Sequence, residues 1–318
     1  MKARLVLCWL VASCAGAAHA WGPLGHRTVA ETAALLVQDD LPATWGPLLA
    51  RHRFALGVYA FVPDFRFRHI DGHGGKLEAP THYLYLDAAE GTDRGSVDRR
   101  IAQFVERART QLGPVRAPSG GYLAGAEATG DARRIYLGLI ELGVMAHYSG
   151  DAAVPYHATA DTNGYARGEG GIHFYFENEC VDVFEPGLAT DVLETARARR
   201  AEWLSRWNAA KASPQELALA VLKESLATVP SVSEIDRRDA VVKLEPSGSK
   251  GNASRKPASS GCRALRPIVV LRLAQGAVLT AVLWERALPT RGVDFQKARE
   301  LSFSDMEPAP AFVPPSAP

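Results

Sequence analysis

Apolar residues recur at helical spacing along most of this chain. Val29, Ala33, Leu36 and Val37 lay one stripe on a helix over 27–37, and a shorter helix is predicted over 41–51. Val97, Ile101, Phe104, Val105, Ala108 and Leu112 mark an amphipathic helix, which the glycine-rich stretch 113–121 ends. The pattern changes over 131–148. There Ile135, Tyr136, Leu137, Leu139, Ile140, Leu142, Val144 and Met145 leave almost no polar face. A helix apolar all round belongs at the centre of a fold. Amphipathic helices follow over 192–207 and 216–229, with a short one over 234–242. A long apolar helix over 263–288, bent near Pro267, should pack on the 131–148 helix. Alternating strand patterns are sparse. The expected fold class is therefore all-α, a single multi-helix domain around one buried helix.

The remaining stretches read as connections. Glycine, proline and aromatics over 58–86 suggest a long loop, and such loops in compact domains usually carry function. His69 and His73 lie in it beside Gly72 and Gly74, and are expected to be solvated. Residues 161–171 are polar and glycine-rich, hence another loop. Few apolar residues occur over 244–261, which predicts an exposed flexible insertion. Its Asn252-Ala253-Ser254 sequon matters only in a eukaryotic secretory pathway. The proline-rich tail over 303–318 is expected to be disordered.

The N-terminus sets the compartment. Lys2 and Arg4, an apolar run and Ala18-His19-Ala20 form the pattern of a secretory signal peptide over residues 1–20. Cleavage after Ala20 would make Trp21 the new N-terminus of a domain over 21–302, secreted or periplasmic. Without Lys2 and Arg4 the charge becomes −1, from 34 basic and 35 acidic residues. No bulk positive charge then draws the protein to nucleic acid or anionic lipid. No later stretch is expected to be long and apolar enough to span a membrane, and a monomer is expected. Cys180 and Cys262 remain after cleavage. An oxidising compartment favours one disulfide between them over two free thiols.

The candidate chemistry starts where the apolar helix ends. His147 and Asp151 stand four apart, sharing a helix face, and His157 follows beyond Pro155. His173 and Glu177 repeat the i, i+4 spacing, and the 172–183 stretch is plausibly helical. His26 stands near a helix start, five residues from Trp21. Asp64 and His82 lie in the 58–86 stretch. Imidazole and carboxylate without cysteine suit catalytic zinc. One such pair arises often by chance; the combination points to metal. Helix-surface pairs and core histidines are the bland alternative.

These residues resemble the zinc-dependent phospholipase C and single-strand-specific (S-one/P-one type) nuclease superfamily. The resemblance runs from Trp21 to about Val183, and more faintly through the 263–288 helix. It implies an exported all-α protein holding three Zn²⁺ ions. One would be bound by Asp64, His82, His147 and Asp151. A second would take His26, a bridging Asp151, and the amine and carbonyl of Trp21. The third would take His157, His173 and Glu177. Trp21-Gly-x-x-Gly-His26 looks like the nuclease branch. His147-Tyr-x-Gly-Asp151, His157-Ala158, the short step to His173, Glu177-Asn178 and Val181-Asp182 look like the phospholipase branch. The resemblance thus implies phosphodiester hydrolysis with Asp64 as a catalytic residue. The balance favours phospholipase C acting on phospholipid, with transient membrane-surface contact. The alternatives are a nuclease or 3'-nucleotidase acting on single-stranded nucleic acid, and a non-catalytic exported metal-binding protein. Tyr59, Phe61, Phe65, Phe67, Tyr83 and Tyr165 are candidate cleft aromatics, though core packing explains most such residues. No nucleophile elbow or P-loop competes with this reading.

Overall fold

The apolar stretch at the middle of the chain becomes the Gly130–Asp151 helix. We describe it in a computed structural model covering residues 21–41, 45–115, 130–289 and 310–316. Nearly every side chain from Ile135 to Asp151 is buried. Around it pack the helices Pro23–Asp40, Arg53–Tyr59, Val97–Leu112 and Arg266–Ala287. Leu188–Arg206 and Pro214–Ile235 complete the bundle. Gly143 lets the central helix approach closely, since a Cβ there would lie 2.5 Å from Tyr59 Cβ. The fold is all-α, as the hydrophobic pattern predicts. Among the described residues the strands are the short antiparallel pair Val241–Lys243 and Ser254–Arg255.

Helix ends extend the expected ones. The first begins at Pro23, whose missing N–H costs nothing in a first turn. Pro267 likewise sits in the first turn of Arg266–Ala287 instead of bending its middle. Ser213 and Glu216 form a capping box that starts Pro214–Ile235 ahead of its apolar stripe. The short helix expected over 234–242 is a π turn, Asp236–Ala240, continuing that helix into the first strand.

Four expectations need correction. The 58–86 stretch contains the end of Arg53–Tyr59, a π turn at Pro63–Phe67, a helical turn at Arg68–Ile70 and a 3₁₀ turn at Ala79–His82. Short turns beside proline and glycine carry too little periodicity to be recognised. The 244–261 insertion is folded. Glu245, Gly248 and Ala253 donate backbone N–H bonds to Gly168, Tyr165 and Gly170. Arg255 adds an ion pair to buried Asp236, at 2.9 Å. Backbone bonds and one ion pair order it, and hydropathy sees neither. The proline-rich segment 310–316 docks on the bundle: Phe312 packs edge-on against Phe67, and Gln103 donates to the Pro314 carbonyl. Finally, residues Arg263–Ala287 are long and apolar enough to cross a membrane, with 83% of the apolar window buried inside the protein. That surface packs on the bundle. His69 and His73 are exposed, as expected. The signal peptide and its cleavage site fall outside the described residues.

Cys180 and Cys262 form a disulfide, with Cα atoms 5.3 Å apart. It ties the 172–182 helical segment to the turn that precedes the last helix.

Candidate metal centre

The last turn of the central helix delivers His147 and Asp151 on one face, both fully buried. His147 Nε2 lies 3.3 Å from Asp151 Oδ2. Three further residues join them. His26 comes from the first turn of Pro23–Asp40, its Nε2 3.5 Å from Asp151 Oδ1 and its ring stacked on His147. Asp64 comes from the π turn Pro63–Phe67, with Oδ1 3.7 Å from His82 Nδ1 and 4.0 Å from His147 Nε2. His82 ends the 3₁₀ turn Ala79–His82; its Nδ1 is 3.0 Å from Asp151 Oδ2 and 2.9 Å from His147 Nε2.

A second group adjoins the first. His157 closes the 3₁₀ turn Pro155–His157, while His173 and Glu177 sit a turn apart in the 172–182 segment. His173 Nε2 is 2.9 Å, and His157 Nε2 3.8 Å, from Glu177 Oε2. His157 Nδ1 is 3.8 Å from Asp151 Oδ1, so the groups are contiguous. Both Asp64 and Glu177 are presented by π turns, a local rewinding that often marks functional sites.

The eight expected side-chain ligands thus meet in the interior. His26, Asp64 and His147 lie close enough together to hold an ion, and so do His82, His147 and Asp151, with His147 common to both sets. His157, His173 and Glu177 form a third such set. The Trp21 indole is buried and donates to the Gly150 carbonyl at 3.0 Å, and Gly22 N–H reaches the Glu177 carbonyl. Gly150 leaves room for this corner, since a Cβ would lie 3.1 Å from His26 Nδ1.

The buried carboxylates and imidazoles form groups that could hold a metal ion. Asp64, Asp151 and Glu177 are buried to zero exposure. Asp64 Oδ1 and Oδ2, Asp151 Oδ1, Glu177 Oε1 and Oε2, both nitrogens of His26, and His173 Nε2 lack hydrogen-bond partners. Such groups are costly to bury unpaired. Burial drives His26 and His173 well below the ordinary imidazole range and lowers His157 to about 4. These rings are therefore neutral, the form that ligates metal. Burial, with Asp151 and Asp64 nearby, pushes Glu177 well up. Burial is the largest single influence on Asp64 and Asp151 and opposes their ionisation, yet the partners together outweigh it: His147, Arg68 and His82 at Asp64, and His147, His157 and His82 at Asp151. Arg68 Nη2 stands 3.2 Å from Asp64 Oδ1. The donor set of imidazole nitrogens and carboxylate oxygens fits Zn²⁺ or a similar divalent ion.

Several neighbours escaped the sequence reading. Arg68 follows Asp64 by four residues, and Glu78 precedes His82 by four. The helical spacing was present, but in a stretch read as loop. Asp71 shapes that stretch: its carboxylate accepts the backbone N–H groups of His73, Gly75, Leu77 and Glu78. These bonds outweigh its desolvation and hold its pKa at about 2.

Compared with known proteins, the chain matches no family model and no curated protein. Among solved structures it is similar to the alpha-toxin of Clostridium perfringens isolated from avian strain SWCP, at 13% sequence identity and a TM-score of 0.46. The match covers 85% of this chain and 63% of that one, so the chain spans less than two thirds of the toxin's length.

Proposed function

We propose that the protein is an exported zinc-dependent phosphodiester hydrolase, with phospholipid as its substrate class. One observation carries this reading: eight imidazole and carboxylate side chains from six separate segments of the chain meet in the interior, with many of their polar atoms unpartnered. The sequence resemblance supplies the reaction class. Asp64, His82, His147 and Asp151 would hold one ion, Trp21, His26 and Asp151 a second, and His157, His173 and Glu177 a third. Zinc supplies Lewis-acid polarisation of a phosphoryl oxygen and hydroxide at neutral pH.

The protein's own groups orient and balance this chemistry. His147 donates from Nδ1 to the Ala60 carbonyl, which turns Nε2 inward. His157 does the same through the His82 carbonyl. Asp64 stays ionised against its burial, so its carboxylate can take up a proton from an attacking water. Arg68 beside it balances charge at the same oxygen. The Cys180–Cys262 disulfide supports an oxidising compartment and hence export.

A second observation favours lipid over nucleic acid. Of the nine large hydrophobic residues exposed among the described residues, four — Val58, Phe65, Ile70 and Leu77 — fall in the 58–86 stretch that carries Asp64. Phe65 is 70% exposed beside Asp64. Apolar exposure along this stretch suits a lipid surface better than a charged strand.

The test is metal analysis of the purified protein together with hydrolysis of bis(4-nitrophenyl) phosphate. Bound zinc and chelator-sensitive turnover are expected. Zinc without turnover would leave only a metal-binding export protein. Phosphatidylcholine and single-stranded DNA, assayed side by side, decide the substrate: cleavage of DNA alone would replace phospholipase C by nuclease.

A further inference from the structure

The histidines of the centre differ in what holds their outward nitrogen. His147 and His157 each turn Nδ1 to a backbone carbonyl, and His173 Nδ1 faces the Thr162 hydroxyl at 3.3 Å. His82 is different. Its Nδ1 points into the cluster, and its buried Nε2 has no hydrogen-bond partner within ordinary geometry. The group facing that nitrogen is a carboxylate outside the cluster, Glu78, with Oε1 3.4 Å away.

Glu78 is itself fully buried and firmly held. Its Oε1 accepts the Tyr148 hydroxyl at 2.5 Å, and its Oε2 accepts Arg100 Nη2 at 2.8 Å. Arg100 is 2% exposed, its guanidinium close to the rings of Phe104 and Tyr148. The Glu78 N–H is bound by Asp71. A buried ion pair is a poor device for stability, because apolar residues of similar volume often serve as well or better. A pair whose anion faces the free nitrogen of a cluster histidine has another use.

We propose that Glu78 is a positioning residue for His82. Its carboxylate keeps the proton on Nε2 and so leaves the Nδ1 lone pair for a metal ion. It also makes that imidazole a stronger donor than His147, His157 and His173, whose outward nitrogens meet neutral oxygens. Arg100 and Tyr148 fix the carboxylate and offset its charge. The inference rests on the metal-binding reading of the site, and its test separates the two.

Cobalt(II) is titrated into metal-stripped protein, wild type and Glu78→Gln, with a competing chelator and the visible absorption of the cobalt recorded. The amide keeps the shape and the Tyr148 and Arg100 neighbours but loses the charge. Affinity should fall by about 10- to 100-fold, with a shifted cobalt band. Tyr148→Phe removes one donor from Glu78 and leaves more of the carboxylate for His82, so affinity should rise a few-fold. Asp71→Asn is the loop control: it weakens the backbone bonds of the same loop, the one from Glu78 N–H among them, while leaving the Glu78 charge in place. It should lower the melting temperature and leave the cobalt band in place. Wild-type uptake with unchanged affinity and band in both Glu78→Gln and Tyr148→Phe overturns this inference alone. If Glu78→Gln fails to fold, Tyr148→Phe decides by itself. A wild-type chain that takes up no cobalt overturns the metal reading and this inference with it.

Discussion

At the scale of single residues, Asp151 has the most to do. It faces His26, His82, His147 and His157 within 3.8 Å, and no other side chain of the centre touches both groups so widely. Asp151→Asn should reduce turnover of a soluble phosphodiester by more than about 100-fold, beyond the usual effect of an outer partner. It should also lower bound metal, measured by atomic emission; full metal content with full activity would contradict this assignment. Gly150→Ala tests the corner beside it. The added methyl meets His26 Nδ1 at 3.1 Å, so the His26 ring must give by a few tenths of an ångström, while Trp21 Cδ1 at 3.6 Å is in ordinary contact. Reduced metal content with unchanged helix content by circular dichroism is the expected result. The His-to-carboxylate pairs were legible because i, i+4 spacing on a helix puts side chains on one face. Glu78 and Arg68 have the same spacing from their partners, but lay in turns too short to show a period.

At the scale of elements, the 172–182 segment shows how a candidate ligand is held. A π turn rewinds it where Glu177 points inward, and the disulfide at Cys180 anchors it three residues later. The loop closed by that disulfide spans a sequence separation of 82. Cys180→Ser should therefore cost about 2–5 kcal/mol of stability, measured by denaturant unfolding under non-reducing conditions. Metal affinity should fall as well, since the helical segment carrying His173 and Glu177 loses its tie to the last helix. Loss of stability with unchanged affinity would show that the segment is held by packing alone. The long helices were readable from their apolar stripes. The π turns, the insertion and the docked 310–316 segment were not, because backbone bonds, ion pairs and single aromatic contacts order them.

At the scale of the whole molecule, the fold encloses a site whose charges require one another. In metal-stripped protein, His26, His157 and His173 stay neutral below the ordinary imidazole value of 6.5, His157 down to about 4, because burial penalises the cation. The unfolded chain protonates these rings near 6.5, so it binds more protons over that window. Their contribution to stability is therefore lost as pH falls from 6.5 through about 4. Glu177, raised by burial, acts oppositely, losing stability as pH rises above 4.5. His147, raised by Asp151 and Asp64 against its burial, acts in the same sense as Glu177 but above 6.5. Outside the centre, Glu285, raised to about 7, and Glu31, raised by burial, share the sense of Glu177, so the histidine contribution is read by difference. The melting temperature of chelator-treated protein should fall more steeply on acidification from 6.5 to 4.5 in wild type than in His157→Asn; equal slopes would contradict the neutral-histidine arrangement.

The sequence by itself determined the helical class, the central buried helix and the residue types that meet at its end. Periodicity and local spacing report short-range geometry, and these features are short-range. Only the tertiary structure decided that the eight candidate side chains come together, that Glu78 faces His82, and that the insertion is ordered. Those outcomes depend on distances between segments far apart in the chain, which helix and turn packing sets and no local pattern encodes.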